Sequence, residues 1–164
     1  MRYLVPIVAV LVLTGCGRTS HKLARAGAPS LATTCGTLPA GLTASTYLLK
    51  TGDGVRIYAA AAGSGSKAIV LLHESGGAGL CGWLPTMRWL SASGLRAVAI
   101  NLRGYPPSGS PALAIYHHYA QDIQAAVDAA HTLGADNVFV MGASMGGAAT
   151  VAEASKLNDV AGVI

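Results

Sequence analysis

Gly142-Ala143-Ser144-Met145-Gly146 sets a serine hydroxyl between two glycines, each two residues away. That pattern, at a sharp strand-to-helix turn, presents a serine for attack on an electrophilic carbon. The turn is so tight that positions two before and two after the serine cannot carry bulky side chains, and Gly142 and Gly146 meet that demand. The chain holds 21 glycines in 164 residues, so the spacing alone is a weak signal and its neighbours decide. Before it, Val138-Phe139-Val140-Met141 reads as a buried strand. After it, Gly146, Gly147, Ala148 and Ala149 let a helix pack close against a sheet.

Other elements must carry that turn. Thr46–Lys50 and Val55–Ala60 read as strands joined by the turn residues Thr51-Gly52-Asp53-Gly54, an antiparallel hairpin at a sheet edge. Ala68–Leu72 and Ala97–Ile100 are continuous apolar runs, as central parallel strands require. His73-Glu74-Ser75-Gly76-Gly77-Ala78-Gly79 follows the first of them as a polar, glycine-rich loop. Trp83, Leu84, Met87 and Leu90 recur at helical spacing, with Gly94 as the stop. Asn101–Ser110 is a loop. Ile115, Tyr119, Ile123, Val127, Ala130 and Leu133 form one apolar helical face, with Gln121, Asp122, Gln124 and Asp128 on the opposite, polar one. A helix follows Ser144 to about Lys156, and Val160–Ile164 begins a further strand. The alternation specifies an α/β fold with a doubly wound, mostly parallel sheet behind an N-terminal antiparallel hairpin.

The composition is that of a globular chain: 52% hydrophobic and 11% charged. The net charge of +4 is scattered, so no nucleic-acid partner is expected. Residues 1–15 read as a lipoprotein signal peptide: Arg2, an apolar stretch from Tyr3 to Leu13 too short to span a bilayer, then Leu13-Thr14-Gly15-Cys16. That tetrad resembles the bacterial lipobox, which implies cleavage before Cys16, lipidation of Cys16 and export to the bacterial membrane surface. Residues 16–44, rich in small residues, Thr and Pro, read as a flexible tether, and residues 45–164 as the folded part. Outside the cytosol, Cys35 and Cys81 either pair or remain free thiols. The histidines lack paired spacing with carboxylates, and neither a metal nor a cofactor is expected.

From Thr46 to Ile164 the chain resembles the α/β-hydrolase superfamily, with dienelactone-hydrolase-like and esterase-like members closest. The resemblance rests on the hairpin, the His73-Glu74-Ser75-Gly76-Gly77 loop, the Trp83 helix, the Arg103–Gly109 loop and the turn at Ser144, in that order. It implies a serine hydrolase acting on a small ester-type substrate. Ser144 would be the nucleophile, and the backbone N–H groups of Met145 and Ser75 would hold the oxyanion. Glu74 stands where the family usually has glycine. His73 would shape its loop rather than carry protons.

The family's triad runs serine, acid, histidine in chain order. After Ser144 there is no histidine, and the acids are Glu153 and Asp159. His21, His73, His117, His118 and His131 all precede the serine. About 120 residues follow the tether, fewer than such enzymes need, so the chain reads as an N-terminal fragment, inactive as given. The alternative is a non-catalytic, hydrolase-derived surface lipoprotein. A third reading takes Gly77-Ala78-Gly79-Leu80-Cys81-Gly82 as a dinucleotide-binding turn, against which Asn101 stands where an acid belongs.

Overall fold

The structure, a computed structural model, describes Leu23 and residues 27–110 and 118–164. The signal-peptide reading, Cys16, His21 and His117 lie outside the described residues.

Six strands form one sheet: β1 (Ala44–Lys50), β2 (Arg56–Ala62), β3 (Lys67–Leu72), β4 (Arg96–Ile100), β5 (Asn137–Gly142) and β6 (Gly162–Val163). Their order is β1-β2-β4-β3-β5-β6. β1 and β2 pair antiparallel, β2 pairs antiparallel with β4, and β4, β3, β5 and β6 run parallel. The hairpin therefore lies at one edge and β5 near the other.

The helices are α1 (Leu31–Cys35), α2 (Leu84–Ala92), α3 (Tyr119–Thr132) and α4 (Met145–Glu153), with 3-10 turns at Gly79–Trp83 and Ala154–Lys156. Strand periodicity divides the core between the two faces of the sheet. Ile57, Ala59, Val70, Leu72, Val98, Ile100, Val138 and Val140 pack against Ile123, Ala126, Val127 and Ala130 of α3. Tyr58, Ala60, Leu71, Ala97 and Ala99 pack against Leu31 of α1 and Leu84, Met87 and Leu90 of α2. Both α2 and α3 end on a left-handed glycine, Gly94 and Gly134. The following residue's N–H reaches back to Leu90 and Ala130, which stops each helix and turns the chain into the next strand.

Part of the segment expected to be tether is folded. Ser30 caps α1 by accepting from the Thr33 N–H (3.1 Å), and Leu31 is 4% exposed. Tyr58 donates its hydroxyl proton to the Pro29 carbonyl (3.1 Å). Cys35 is disulfide-bonded to Cys81, their Cα atoms 5.5 Å apart. A five-residue helix carries no periodicity that a sequence window can detect, and this one is held by tertiary contacts. No helix of the described residues is long and apolar enough to cross a membrane.

Candidate functional site

β5 ends at Gly142 and α4 begins at Met145, so the whole reversal is made by two residues. Ser144 sits at φ 49°, ψ −112°, a left-handed conformation rare for a residue with a side chain. A Cβ on Gly142 would overlap the Gly146 carbonyl, and one on Gly146 would overlap the Leu72 carbonyl. The two glycines therefore allow the chain to cross itself and to lie on β3. Ala143 N–H donates to Leu72 O (3.1 Å) and Gly146 N–H to Ala143 O (2.8 Å), closing the turn. Ser144 is exposed, and its side chain makes no capping bond to α4.

The neighbouring strand supplies the second part of the site. β3 and β5 are parallel with Leu72 opposite Gly142, so the His73 loop leaves the sheet beside Ala143 and Ser144, about 5 Å away across the ladder. His73 is wholly buried. Its Nδ1–H donates to the Glu74 carbonyl (2.6 Å), and its Nε2 accepts from the Leu102 N–H (3.2 Å). The ring meets Tyr105 edge-on, centroids 4.4 Å apart. Burial holds the imidazole below its ordinary pKa and so in the neutral form these bonds need. At the loop's far end, Asn101 Oδ1 accepts from Leu80 N–H (2.7 Å) and Asn101 Nδ2 donates to Pro106 O (2.7 Å). Ser75 to Ala78, between these anchors, are exposed.

Two phenols grip the residue after the serine. The hydroxyls of Tyr105 and Tyr119 each donate to Met145 Sδ at 3.7 Å. The loop carrying Tyr105 is fixed by Arg103, fully buried between two carboxylates. Its Nε and Nη2 donate to Asp122 Oδ1 (2.9 and 2.7 Å), its backbone N–H to Asp122 Oδ2 (2.9 Å), and its Nη1 to Asp53 Oδ2 (2.7 Å). The Arg103 hydrogen bonds hold the Asp53 carboxyl well below the usual carboxylate range. Burial pushes Asp122 up, against the donors that Arg103 aims at it.

These placements sort the expected residues. Met145 follows Ser144 at the start of α4, and Ser75 lies in the exposed middle of the neighbouring loop; neither N–H is drawn into a turn bond. His73 is a fixture of its loop. His118 Nδ1 lies 3.5 Å from Asp53 Oδ2 at the hairpin turn. His131 spans the carbonyls of Ala135 (2.8 Å) and Asp159 (3.0 Å), at the opposite end of β5 and roughly 20 Å from Ser144. Glu153 is buried in α4 and paired with Lys156 (2.6 Å). Among the described residues none of these groups bonds to the Ser144 hydroxyl.

One reading is corrected and one rival set aside. Asp122, placed on a solvated polar face, is fully buried because Arg103 comes down on it from the β4 loop. The Gly77–Gly82 stretch is no dinucleotide turn: from Gly79 it is a 3-10 helix whose Leu80 N–H is already taken by Asn101. The sequence does not mark Arg103, Asn101 or Tyr119 as supports of the site. The one available signal was a charged residue just past a buried strand, Arg103, facing an acid on the next helix. Among the described residues no group of three His, Cys, Asp or Glu side chains could hold a metal.

Residues 69–164 match the Alpha/beta hydrolase family. No curated protein matches the chain. Among solved structures, an esterase from Pyrococcus furiosus is 18% identical, with TM-score 0.63, covering 74% of this chain and 48% of its own. An epoxide hydrolase from an endophytic Streptomyces is 29% identical, with TM-score 0.60, covering 74% and 35%. An esterase from Exiguobacterium antarcticum is 27% identical, with TM-score 0.61, covering 70% and 41%. The chain thus spans half or less of the length of these relatives.

Proposed function

Since the chain belongs to the Alpha/beta hydrolase family, we propose that it is the part of a serine hydrolase of carboxylic esters that carries the nucleophile, Ser144. The observation that supports this most is the left-handed Ser144 turn set beside the His73 loop by the β3–β5 register. Ser144 Oγ would attack the ester carbonyl, and its proton would pass to a base. The negative oxygen would settle between the N–H groups of Met145 and Ser75, the first also at the positive end of α4. The alcohol leaves with a proton, and water then cleaves the acyl-enzyme. Esterases and epoxide hydrolases both stand among the solved relatives. A hydroxyl nucleophile flanked by free N–H donors suits a tetrahedral oxyanion, which epoxide opening does not form, so the ester reading is preferred.

Among the described residues no side chain hydrogen-bonds to the Ser144 hydroxyl. The same observation supports the second reading, a non-catalytic binding module on the cell surface. Export and lipidation of Cys16 are part of the proposal. The Cys35–Cys81 bridge supports export, since such bonds persist outside the reducing cytosol. If lipid on Cys16 anchors the protein, a Cys16→Ser variant leaves the membrane fraction; an unchanged partition refutes the anchor.

The catalytic reading is tested by treating the protein, in cells that make it, with a fluorophosphonate and mapping the adduct. Ser144 is the expected site. No adduct favours the binding module, and an adduct elsewhere refutes the assignment.

A further inference from the structure

A cleft of about 280 Å³ opens between α1 and the glycine loop. Thr34 of α1 faces Gly76–Gly79 and Cys81 across it, and Asn101, Tyr105 and Pro106 complete the lining. It adjoins both parts of the site: Gly76 follows Ser75, and Tyr105 holds Met145. We propose that this cleft receives one small, uncharged, largely apolar group of the substrate, a short acyl or alkoxy chain, and that Thr34 and the Cys35–Cys81 bridge set its size. The proposal rests on the reading of Ser144 as nucleophile.

Chemistry decides the class of group. No lining residue carries a charge. The side-chain polar atoms are already engaged. Asn101 bonds Leu80 and Pro106 through its two ends. The Thr34 hydroxyl lies 3.2 Å from both the Ser30 carbonyl and the Tyr58 hydroxyl, and Tyr105 donates to Met145. A charged group would find no counter-charge among the lining side chains. The volume sits at the lower limit of small-molecule pockets, so it holds a group of a few carbons and not a long chain.

One wall comes from outside the residues that match the family. Thr34 belongs to α1, which precedes the sheet and reaches the glycine loop through the bridge to Cys81. Cys81 lies in the 3-10 turn that ends that loop. The bridge thus fixes the distance between the two sides, and reduction should widen the cleft.

The test is amide chemical-shift mapping of the full chain with methyl butyrate and methyl decanoate. Methyl butyrate should give saturable shifts at Gly76, Gly77 and Tyr105, and bind about tenfold more tightly than the decanoate. Thr34→Trp fills the cleft and should remove the shifts. If that variant does not fold, Gly77→Val serves, because a Cβ there meets nothing within 4 Å. Ser144→Ala should bind normally, which separates failure of the cleft from failure of the nucleophile. A phosphine reductant should abolish the selectivity for butyrate while the Val140 amide stays in place. Absent or non-saturable shifts, shifts that survive both filled variants, or selectivity unchanged by reduction would overturn the proposal.

Discussion

The two parts of the site are held in place by different physics. The Ser144 turn is fixed by backbone crowding: Gly142 lies against Gly146, and Gly146 against the Leu72 carbonyl, with no room for one methyl group. The His73 loop is fixed by side chains. His73 anchors its start and Asn101 its end, while Tyr105 and Arg103 brace the neighbouring loop, and a Cβ at Gly76 or Gly77 would meet only open space. On the proposed reading, the rigid part aims a nucleophile and the adjustable part meets a developing charge. A defect in the first should be all-or-none, and a defect in the second graded.

The largest effect should come from Gly146→Ala. Its methyl group cannot avoid Leu72 O while α4 stays on β3, so stability should fall by on the order of 5 kcal/mol in urea unfolding. Arg103→Met comes next. It strands Asp122 as an unpaired charge with 0% exposure and should cost about 3–5 kcal/mol by the same assay. Asn101→Ala frees one buried N–H and one carbonyl at the end of the glycine loop, for about 1–3 kcal/mol.

Acid should loosen the loop before it breaks the Arg103–Asp53 pair. Burial lowers the His73 pKa, so its contribution is complete above the ordinary value of 6.5 and is lost as pH falls through the folded value. The Asp53 carboxyl, lowered chiefly by the Arg103 hydrogen bond, keeps its charge well below the usual carboxylate range. The urea midpoint should therefore drop from pH 7 to pH 5 in the native chain, and drop less in His73→Gln. Gly77→Ala marks the lower limit: a Cβ there meets only open space, and the change should stay within about 0.5 kcal/mol. A large loss at Gly77 would erase the contrast between the two parts.

The sequence shows what is periodic or sterically singular. Ala68–Leu72, Ala97–Ile100 and Val138–Met141 stand out as strands because both faces are covered, and the observed strands differ from them by a residue or so at each end. Ser144 stands out because only glycine fits two residues to either side. Long-range pairing does not show. Asp122 looks solvated on a helical wheel, and only the β4 loop folding over α3 buries it. The run at Leu31–Cys35 has no repeat, and its helix depends on Tyr58 and Cys81, residues far along the chain. Val160–Ile164 reads as a strand; Gly162 and Val163 form it, opposite Phe139 and Val140, and the N–H groups of Ala161 and Ile164 donate to the carbonyls of Val138 and Val140. Val163 and Ile164 stay 44% and 60% exposed there.

The most direct measurement is a crystal structure of the protein after reaction with diethyl fluorophosphate. The account predicts a phosphorus–oxygen bond at Ser144 Oγ, with the phosphoryl oxygen about 3 Å from the N–H groups of both Met145 and Ser75. An unmodified Ser144, or a phosphoryl oxygen turned away from the loop after β3, would contradict it.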